Sequence, residues 1–281
     1  MEARLAVSSI AWQQNQEEAI AKLLRQHDVK QVEIAPTKVW GSDIKINPQL
    51  VSDSDIKGYI DFWKEYGITP IAMQSMLFLR PDLQLFDDSK TDETVDYLKK
   101  FIVLAGRLGV RRMVFGSPKN RLRDDNKSIE AHMALAVEIF SELGRTALNE
   151  GVVFCIEPNP EAYGCNFIVN AKEGRDLVNR VNSAGFGLHL DAAGMTLAGD
   201  NPYDEIIASA EVLQHFHVSE PYLNPVKDDS NVRHNDIVRA LEEIDYKKTI
   251  SIEMKPSVDD AQNSVNVATA IDYARSTYRV S

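Results

Sequence analysis

The sequence has few cysteines and no long apolar run, and both absences restrict the class of protein. Its two cysteines, Cys155 and Cys165, form neither a CxxC pair nor a disulfide framework, which favours a reducing compartment. No stretch approaches the roughly 18 uninterrupted apolar residues of a membrane span. The first residues, MEARLAVSSIAW, lack the long apolar segment of a signal peptide. We therefore expect a cytoplasmic protein that does not enter a membrane.

The sequence also has relatively few positively charged residues. The 31 lysines and arginines are outnumbered by 42 aspartates and glutamates, so the net charge is -11 and the pI is about 5.1. Proteins that bind nucleic acid without sequence preference usually present a basic surface. The composition therefore predicts no nucleic-acid partner, although it leaves room for a local basic groove. Apolar residues make up 44% of the chain, which is enough for a sizeable core.

What the sequence does contain is a regular alternation of strand-like and helix-like segments. Short apolar runs predict eight strands, at 3–8, 31–35, 69–73, 112–115, 152–156, 185–190, 212–218 and 249–252. Helical spacing of apolar residues predicts helices at 15–27, 52–67, 91–108, 126–151, 171–181, 235–244 and 258–279, with a short one following Asn201-Pro202. Residues 9–12 and 37–51 are predicted to be loops.

Alternating strands and helices predict a parallel sheet. Eight such units in 281 residues, with no composition break or linker, predict an α/β fold with a single (β/α)₈ TIM barrel domain over residues 1–281. An open doubly wound sheet is the alternative, but no GxGxxG motif follows the first strand. In a TIM barrel the functional residues lie at the carboxyl ends of the strands.

Four polar residues occupy such strand ends in the second half of the chain. They follow the apolar runs VVFCI, FGLHL, VLQHF and TISI, and they are Glu157, Asp191, His217 and Glu253. Three carboxylates and one imidazole suit a divalent ion such as Mn²⁺, Mg²⁺, Co²⁺ or Zn²⁺. Taken singly, a carboxylate at a strand end is usually a helix cap, and a lone histidine is usually structural. Four such residues at corresponding positions predict one shared metal site.

The segments around these residues resemble those of the xylose isomerase-like barrel superfamily. The matching segments are CIEPNP (155–160), LHLDAAG (188–194), HFHVSEP (215–221) and SIEMKP (251–256), and the repeat of strands and helices extends the resemblance over the whole chain. The superfamily includes sugar isomerases, ketose epimerases and the endonuclease IV-type AP endonucleases. In its isomerase and epimerase branch these four positions bind one divalent ion, often Mn²⁺. The resemblance therefore implies the ligand set Glu157, Asp191, His217 and Glu253.

The same resemblance implies a divalent-metal-dependent isomerase or epimerase of a sugar or sugar phosphate. In the epimerase branch the two glutamate ligands also move the proton, one from each face of the sugar, which implies catalytic roles for Glu157 and Glu253. The chemistry agrees with these residue types, because a divalent ion stabilises the enediolate formed when a C–H proton leaves. Two carboxylates on opposite faces would invert the carbon, and one alone would interconvert an aldose and a ketose.

The sequence departs from the ketose 3-epimerase pattern at three positions. Gly194 stands where those enzymes have a substrate-binding histidine, Tyr163 where they have a further glutamate, and Leu223 where they have an arginine. We therefore expect a different set of residues to bind the substrate.

Candidates for this role are Trp12, Glu33, Gln74, Lys119, Arg121, Asn159 and Lys255. Trp12 could stack on a sugar face, although an aromatic residue in such a loop is about as often a packing anchor. The basic segment GSPKNR (116–121) suits a phosphate or carboxylate group but is equally compatible with a solvated loop. His189 and His215 each precede a predicted ligand by two residues, so alternation places them deeper in the barrel than the metal, and we expect supporting or core histidines rather than ligands.

Other functions are compatible with the same scaffold. A phosphodiesterase of the AP endonuclease type needs up to three zinc ions and more histidine ligands than we find, since His27 and His132 fall in predicted helices. A lyase or dehydratase would use the same enediolate chemistry, and a barrel retained as a binding protein would have no turnover. The expected partner is a small sugar or sugar phosphate, and the chain is compatible with a homo-oligomer.

Overall fold

Eight parallel strands close into a barrel in the order in which they occur in the chain. The structure is a computed structural model that describes residues 4–228 and 230–280, apart from the side chains of 42, 43 and 46; Ala3 of the predicted first strand lies outside them. The strands are β1 (Leu5–Ser8), β2 (Gln31–Ile34), β3 (Thr69–Met73), β4 (Arg112–Phe115), β5 (Val153–Ile156), β6 (Phe186–Asp191), β7 (Leu213–Ser219) and β8 (Ile250–Glu253). The predicted TIM barrel is confirmed.

Helices surround this barrel. In the described part of the chain they are α1 (Glu17–Gln26), α2 (Pro36–Val39), α3 (Gly41–Ile46), α4 (Asp53–Glu65), α5 (Thr91–Leu108), α6 (Ile129–Asn149), α7 (Ala171–Val181), α8 (Ala192–Ala198), α9 (Pro202–Ala208), α10 (His234–Glu243) and α11 (Asp260–Tyr278). Among the described residues, no helix combines the length and apolarity needed to cross a membrane.

Helices also occur in a segment that we predicted to be a loop, 37–51, and in one for which we predicted no helix, after β6. Residues 37–51 hold most of α2, all of α3 and a 3₁₀ turn at Pro48–Leu50, and the segment after β6 forms α8. Pro36 begins α2, where its missing N–H costs no hydrogen bond. The Asp191 side chain caps α8 by accepting from the Gly194 N–H. These helices are too short to show an apolar period, so local capping produces them without a periodic signal.

Alternation along the strands separates an apolar outer face from a polar interior. On β7, Phe216 faces outward and packs against Tyr278 of α11. Its neighbours His215 and His217 point inward and contact the Glu33 carboxylate of β2. Since β1 and β8 lie between β2 and β7 in the sheet, this contact crosses the barrel interior. Polar side chains therefore fill the centre of the barrel below its carboxyl-terminal mouth.

Candidate metal centre and active site

The four predicted metal ligands meet at the carboxyl end of the barrel. Glu157 follows β5, Asp191 ends β6, His217 lies in β7 and Glu253 ends β8. His217 Nδ1 lies 3.4 Å from Glu253 Oε2 and 4.0 Å from Asp191 Oδ2. Ligand atoms of Glu157, Asp191 and His217 lie within 4.8 Å of one another. Four consecutive strands thus bring three carboxylates to one imidazole.

The donors at this centre fit a divalent cation. His217 Nδ1 is buried and has no hydrogen-bond partner among the described residues, although buried polar atoms nearly always have one. The other ring nitrogen, Nε2, lies 2.9 Å from Glu33 Oε2, so Nδ1 is directed toward Asp191 and Glu253. A neutral imidazole in this orientation offers its lone pair to an ion that the carboxylates also contact.

Burial and mutual repulsion perturb two of the carboxyl groups. Burial, and next the charges of Glu253 and Asp191, raise the pKa of Glu157 to about 8. Burial and the charge of Glu253 raise the pKa of Asp191 to about 6. A divalent cation among these groups would offset the repulsion and favour their charged forms. The electrostatics therefore favour cation binding coupled to proton release.

Two hydrogen bonds fix the Asp191 carboxylate. The Gly194 N–H donates to Oδ1 at 2.6 Å, and the Ser219 hydroxyl donates to Oδ2. Ser219 Oγ in turn accepts from the Ala193 N–H at 3.0 Å. Sequence analysis did not single out Ser219, and its only signal was a position two residues after His217, on the same face of β7. Gly194, one of the departures from the epimerase pattern, supports a predicted ligand here through its backbone.

Glu33, a predicted substrate-binding residue, lies beneath the metal ligands. It is fully buried, and its Oε2 is within 3.4 Å of His215 Nε2 as well as close to His217. Burial opposes its ionisation, but the adjacent His217 and His215 hold the pKa of Glu33 well below its usual range. A carboxylate that accepts the second N–H of a ligand histidine fixes the ring's orientation. This placement favours Glu33 as a positioning residue and does not support contact with the substrate.

A cavity of about 630 Å³ opens beside Glu253 at the mouth of the barrel. The predicted site residues that line it are Trp12, Gln74, Glu253 and Lys255. Gln74 is held in place because its Nε2 donates to Ser8 Oγ at 2.7 Å. The loops after β1, β2 and β3 therefore form one wall of the cavity, and the end of β8 forms the other.

Lys38 also lines this cavity and was missed by sequence analysis, as was Lys45. Lys38 Nζ lies 4.7 Å from the centre of the Trp12 ring and 3.6 Å from Glu17 Oε2. Burial lowers the pKa of Lys38 to about 8, against the opposing effect of the Glu17 carboxylate. The Trp12 side chain is buried, and its Nε1–H donates to Glu17, so Trp12 anchors this wall. Lys38 lies in α2, within the segment predicted to be a loop, where no spacing argument pointed to it.

The basic segment 116–121 contains two of the predicted substrate-binding residues, Lys119 and Arg121. Lys119 is exposed, Arg121 is fully buried, and neither lines the cavity. The Arg121 guanidinium donates to the Glu157 backbone oxygen at 2.8 Å and to Asn159 Oδ1 at 3.1 Å. Its donors are therefore directed at the protein, and the prediction that Lys119 and Arg121 together bind a substrate anion is not supported. Arg121 and Asn159 instead support the turn that carries Glu157.

Gly116, in the same segment, makes room for the Glu157 side chain. A Cβ atom at Gly116 would lie 2.3 Å from Glu157 Oε2 and 3.2 Å from Asn159 Oδ1. Real atoms do not approach so closely, so any side chain at this position would displace the carboxylate. The close approach explains why β4, the neighbour of β5 in the sheet, is followed by glycine.

The family model described as xylose isomerase-like TIM barrel matches residues 21–275. The chain belongs to this family. No curated protein matches the chain. The solved structures that resemble this xylose isomerase-like barrel have low sequence identity to it, so they establish the shared fold and leave its activity to be argued from the site.

Three of these structures illustrate the range of the fold. D-psicose 3-epimerase from Clostridium cellulolyticum H10, solved with D-tagatose, is 18% identical with a TM-score of 0.79, over 98% of this chain and 99% of that chain. The IOLI protein, solved with a binding zinc atom, is 17% identical with a TM-score of 0.76, over 98% of each chain. AP endonuclease, family 2, from Brucella melitensis is 15% identical with a TM-score of 0.73, over 93% of this chain and 96% of that chain.

In this xylose isomerase-like barrel, Arg121→Met is expected to destabilise the fold without changing substrate preference. The substitution leaves the Glu157 carbonyl and the Asn159 side chain without their buried donor, which should cost about 3 kcal/mol. Urea unfolding of the metal-free protein measures the loss. Lys119→Met is the matched control in the same segment, and because Lys119 is exposed its effect should stay within about 0.5 kcal/mol. Equal stability of both variants would show that Arg121 does not support this turn.

Proposed function

We propose that the protein is a divalent-metal-dependent isomerase or epimerase of a sugar or sugar phosphate. The observation that carries the proposal is the meeting of Glu157, Asp191, His217 and Glu253 at one end of the barrel. One of these residues, Glu253, lines a cavity of about 630 Å³, which is within the usual range for a small-molecule site. The epimerase that shares this fold was solved with a sugar, which supports the same substrate class here.

One divalent ion would be held by the carboxylates of Glu157, Asp191 and Glu253 and by His217 Nδ1. Mn²⁺ suits this mixture of oxygen and nitrogen donors, and Mg²⁺, Co²⁺ and Zn²⁺ are the alternatives. When bound, the ion polarises a carbonyl and a neighbouring hydroxyl oxygen of the sugar. The zinc atom in the IOLI protein, which has the same fold, supports metal binding in this chain.

Glu157 and Glu253 are the proposed proton carriers. They lie at the ends of β5 and β8, and because β6 and β7 lie between these strands the two carboxylates approach the centre from different sides. One carboxylate takes a proton from the carbon next to the sugar carbonyl. If the other returns a proton to the opposite face, the carbon is inverted, whereas return by the same carboxylate to the neighbouring carbon interconverts an aldose and a ketose. Glu253 lines the cavity, which supports its access to the substrate.

Substrate binding is assigned to residues on both walls of this cavity. Gln74 offers an amide, and Lys38, Lys45 and Lys255 offer ammonium groups to hydroxyl or anionic oxygens. Several cations around one small cavity support a phosphate or carboxylate on the sugar. In the proposal these lysines take the anion-binding role that we predicted for Lys119 and Arg121.

The test is solvent deuterium exchange into a panel of ketoses, aldoses and their phosphates. The protein is stripped of metal and reloaded separately with Mn²⁺, Mg²⁺, Co²⁺ or Zn²⁺, and the sugars are followed by NMR in D₂O. The expected result is deuterium at a carbon next to the carbonyl, together with a new epimer or isomer. Both should appear only when the protein is loaded with metal.

Other outcomes would redirect the assignment. An elimination product in place of an isomer would indicate a lyase or dehydratase. Cleavage of abasic-site DNA, with two or three zinc ions per chain, would indicate a phosphodiesterase. Metal binding without exchange in any sugar of the panel would overturn the proposed isomerase activity.

A further inference from the structure

A third histidine of the barrel interior has no partner for either of its ring nitrogens. His189 is fully buried, and neither Nδ1 nor Nε2 has a hydrogen-bond partner in residues 4–228 and 230–280. Leaving a buried donor or acceptor unsatisfied destabilises the folded state. Such a side chain is retained at this cost when something else satisfies it, such as a ligand or an ion. His189 therefore requires an explanation beyond core packing.

The position of His189 directs it toward the metal centre. It precedes Asp191 by two residues on β6, so both side chains lie on the inner face of the barrel. His189 Nε2 lies 4.0 Å from Glu157 Oε1, and the His189 and His217 ring centres are 4.1 Å apart. Ligand atoms of Glu157, His189, Asp191 and His217 all lie within 4.8 Å of one another. Two atoms bound to one first-row ion at about 2.0–2.2 Å can be up to roughly 4.4 Å apart, so the four groups need only small adjustments.

The other buried histidine, His215, has a different explanation. Its Nε2 lies 3.4 Å from Glu33 Oε2, the same oxygen that His217 Nε2 contacts at 2.9 Å. Glu33 thus provides a hydrogen-bond partner for one ring nitrogen, Nε2, of each of these two histidines. A separate ion held by His189, His215 and His217 would either displace Glu33 from the Nε2 atoms or use His217 Nδ1, which is directed toward Asp191 and Glu253. The geometry favours His189 as part of the upper centre, with Glu33 and His215 beneath it.

We propose that His189 is an additional ligand of the metal ion, so that two imidazoles and the three carboxylates surround it. This inference rests on the proposed metal-dependent function and sharpens it. A second imidazole shifts the preference of a site toward Co²⁺ and Zn²⁺ and away from Mg²⁺, because carboxylate-rich sites suit Mg²⁺ better. The identity of the metal would therefore be set by a residue that lies two positions before an expected ligand.

The experiment counts imidazole nitrogens on the bound ion and measures affinity for two metals. Pulsed EPR of the Mn²⁺-loaded protein is expected to detect two coordinated imidazole nitrogens in the wild type and one in His189→Leu. The same variant should bind Co²⁺ about 100-fold more weakly, the upper end of the loss seen when a supporting residue is removed, while Mg²⁺ affinity changes much less. His215→Leu is the matched control, since it removes a buried histidine of the same interior and should leave the nitrogen count at two.

Each alternative result has a definite meaning. A count of one in the wild type, with Mn²⁺ bound, overturns the role of His189 and leaves the proposed metal-dependent function intact. A lower count in His215→Leu overturns it in favour of an ion in the deeper histidine group. If the wild type binds none of Mn²⁺, Co²⁺, Mg²⁺ and Zn²⁺, the proposed function itself is overturned. A wild-type count of one is decisive even if His189→Leu fails to fold. For a count of two, His189→Gln then supplies a polar variant of similar size, in which the count should fall to one.

Discussion

Glu157→Gln and Glu253→Gln are each expected to lower kcat by about 10³-fold or more while the barrel remains folded. Glutamine keeps an oxygen that can face the ion, but it cannot accept a proton near neutral pH. General acid–base catalysis by one side chain contributes about 10²–10⁴-fold, so its loss should dominate the effect. The fold should tolerate both changes because each removes a charge from a cluster in which the carboxylates repel one another.

Deuterium exchange in the two variants separates an epimerase from an isomerase. If each carboxylate serves one face of the sugar, each variant keeps one base. It should then exchange the C–H of one epimer with solvent without forming the other epimer. If a single carboxylate performs the whole transfer, one variant loses exchange completely and the other retains it. Metal content is measured in parallel, so that loss of the ion is not mistaken for loss of the base.

The matched control for this experiment is Glu138→Gln, the same change at an exposed position of α6. It should leave kcat and metal content unchanged. Full turnover in Glu157→Gln or Glu253→Gln, with the ion retained, would remove that residue from proton transfer.

The position of the candidate metal centre could be predicted because parallel barrels impose a simple rule. Every strand of such a barrel ends at the same face, so polar residues that end four successive apolar runs must converge. The register confirms the rule for neighbouring strands, with Asp191 beside His217 and Ser219 beside Glu253. The spacing of apolar runs therefore carries three-dimensional information about this site.

The depth at which the Glu33 side chain lies inside the barrel could not be predicted in the same way. Glu33 lies in β2 at a position from which its side chain reaches across to β7, below the mouth. The pairing of β2 with β3 shifts register between Val32 and Glu33, and that of β6 with β7 shifts between Leu188 and His189. Such irregularities change the distance between a side chain and the mouth of the barrel, and the local composition does not indicate them.

The direction in which long charged side chains point could not be predicted from the sequence either. Lys119 and Arg121 are two residues apart, but one is exposed and the other is fully buried. A left-handed Ser117 and a 3₁₀ turn at Pro118–Asn120 reverse the chain, and the Arg121 guanidinium then reaches backbone carbonyls of the barrel wall. Lys38 shows the opposite case, because a short helix after Pro36 brings a residue of an apparent loop into the cavity.

Metal removal is expected to destabilise the wild-type protein, and to do so more at pH 8 than at pH 6. Burial and neighbouring carboxylates raise the pKa of Glu157 from 4.5 to about 8 and that of Asp191 from 3.8 to about 6. Between pH 4.5 and 8 the metal-free folded protein therefore holds protons that the unfolded chain has released. Its stability must fall as pH rises through this window. The bound ion requires the charged carboxylates, so its affinity changes in the opposite direction and rises with pH.

Thermal unfolding at the two pH values, with and without chelator, measures both effects. Between pH 6 and pH 8 the metal-free protein should lose about 2 kcal/mol of stability, which corresponds to a Tm lower by roughly 5 °C. The Tm increase on adding Mn²⁺ should be larger at pH 8. Asp191→Ala is the matched variant, because it removes a ligand and one source of repulsion, so both the metal-dependent shift and part of the pH slope should disappear. A metal-dependent Tm shift that is the same at both pH values, or that persists in Asp191→Ala, would contradict the coupling of ion binding to proton release at these carboxylates.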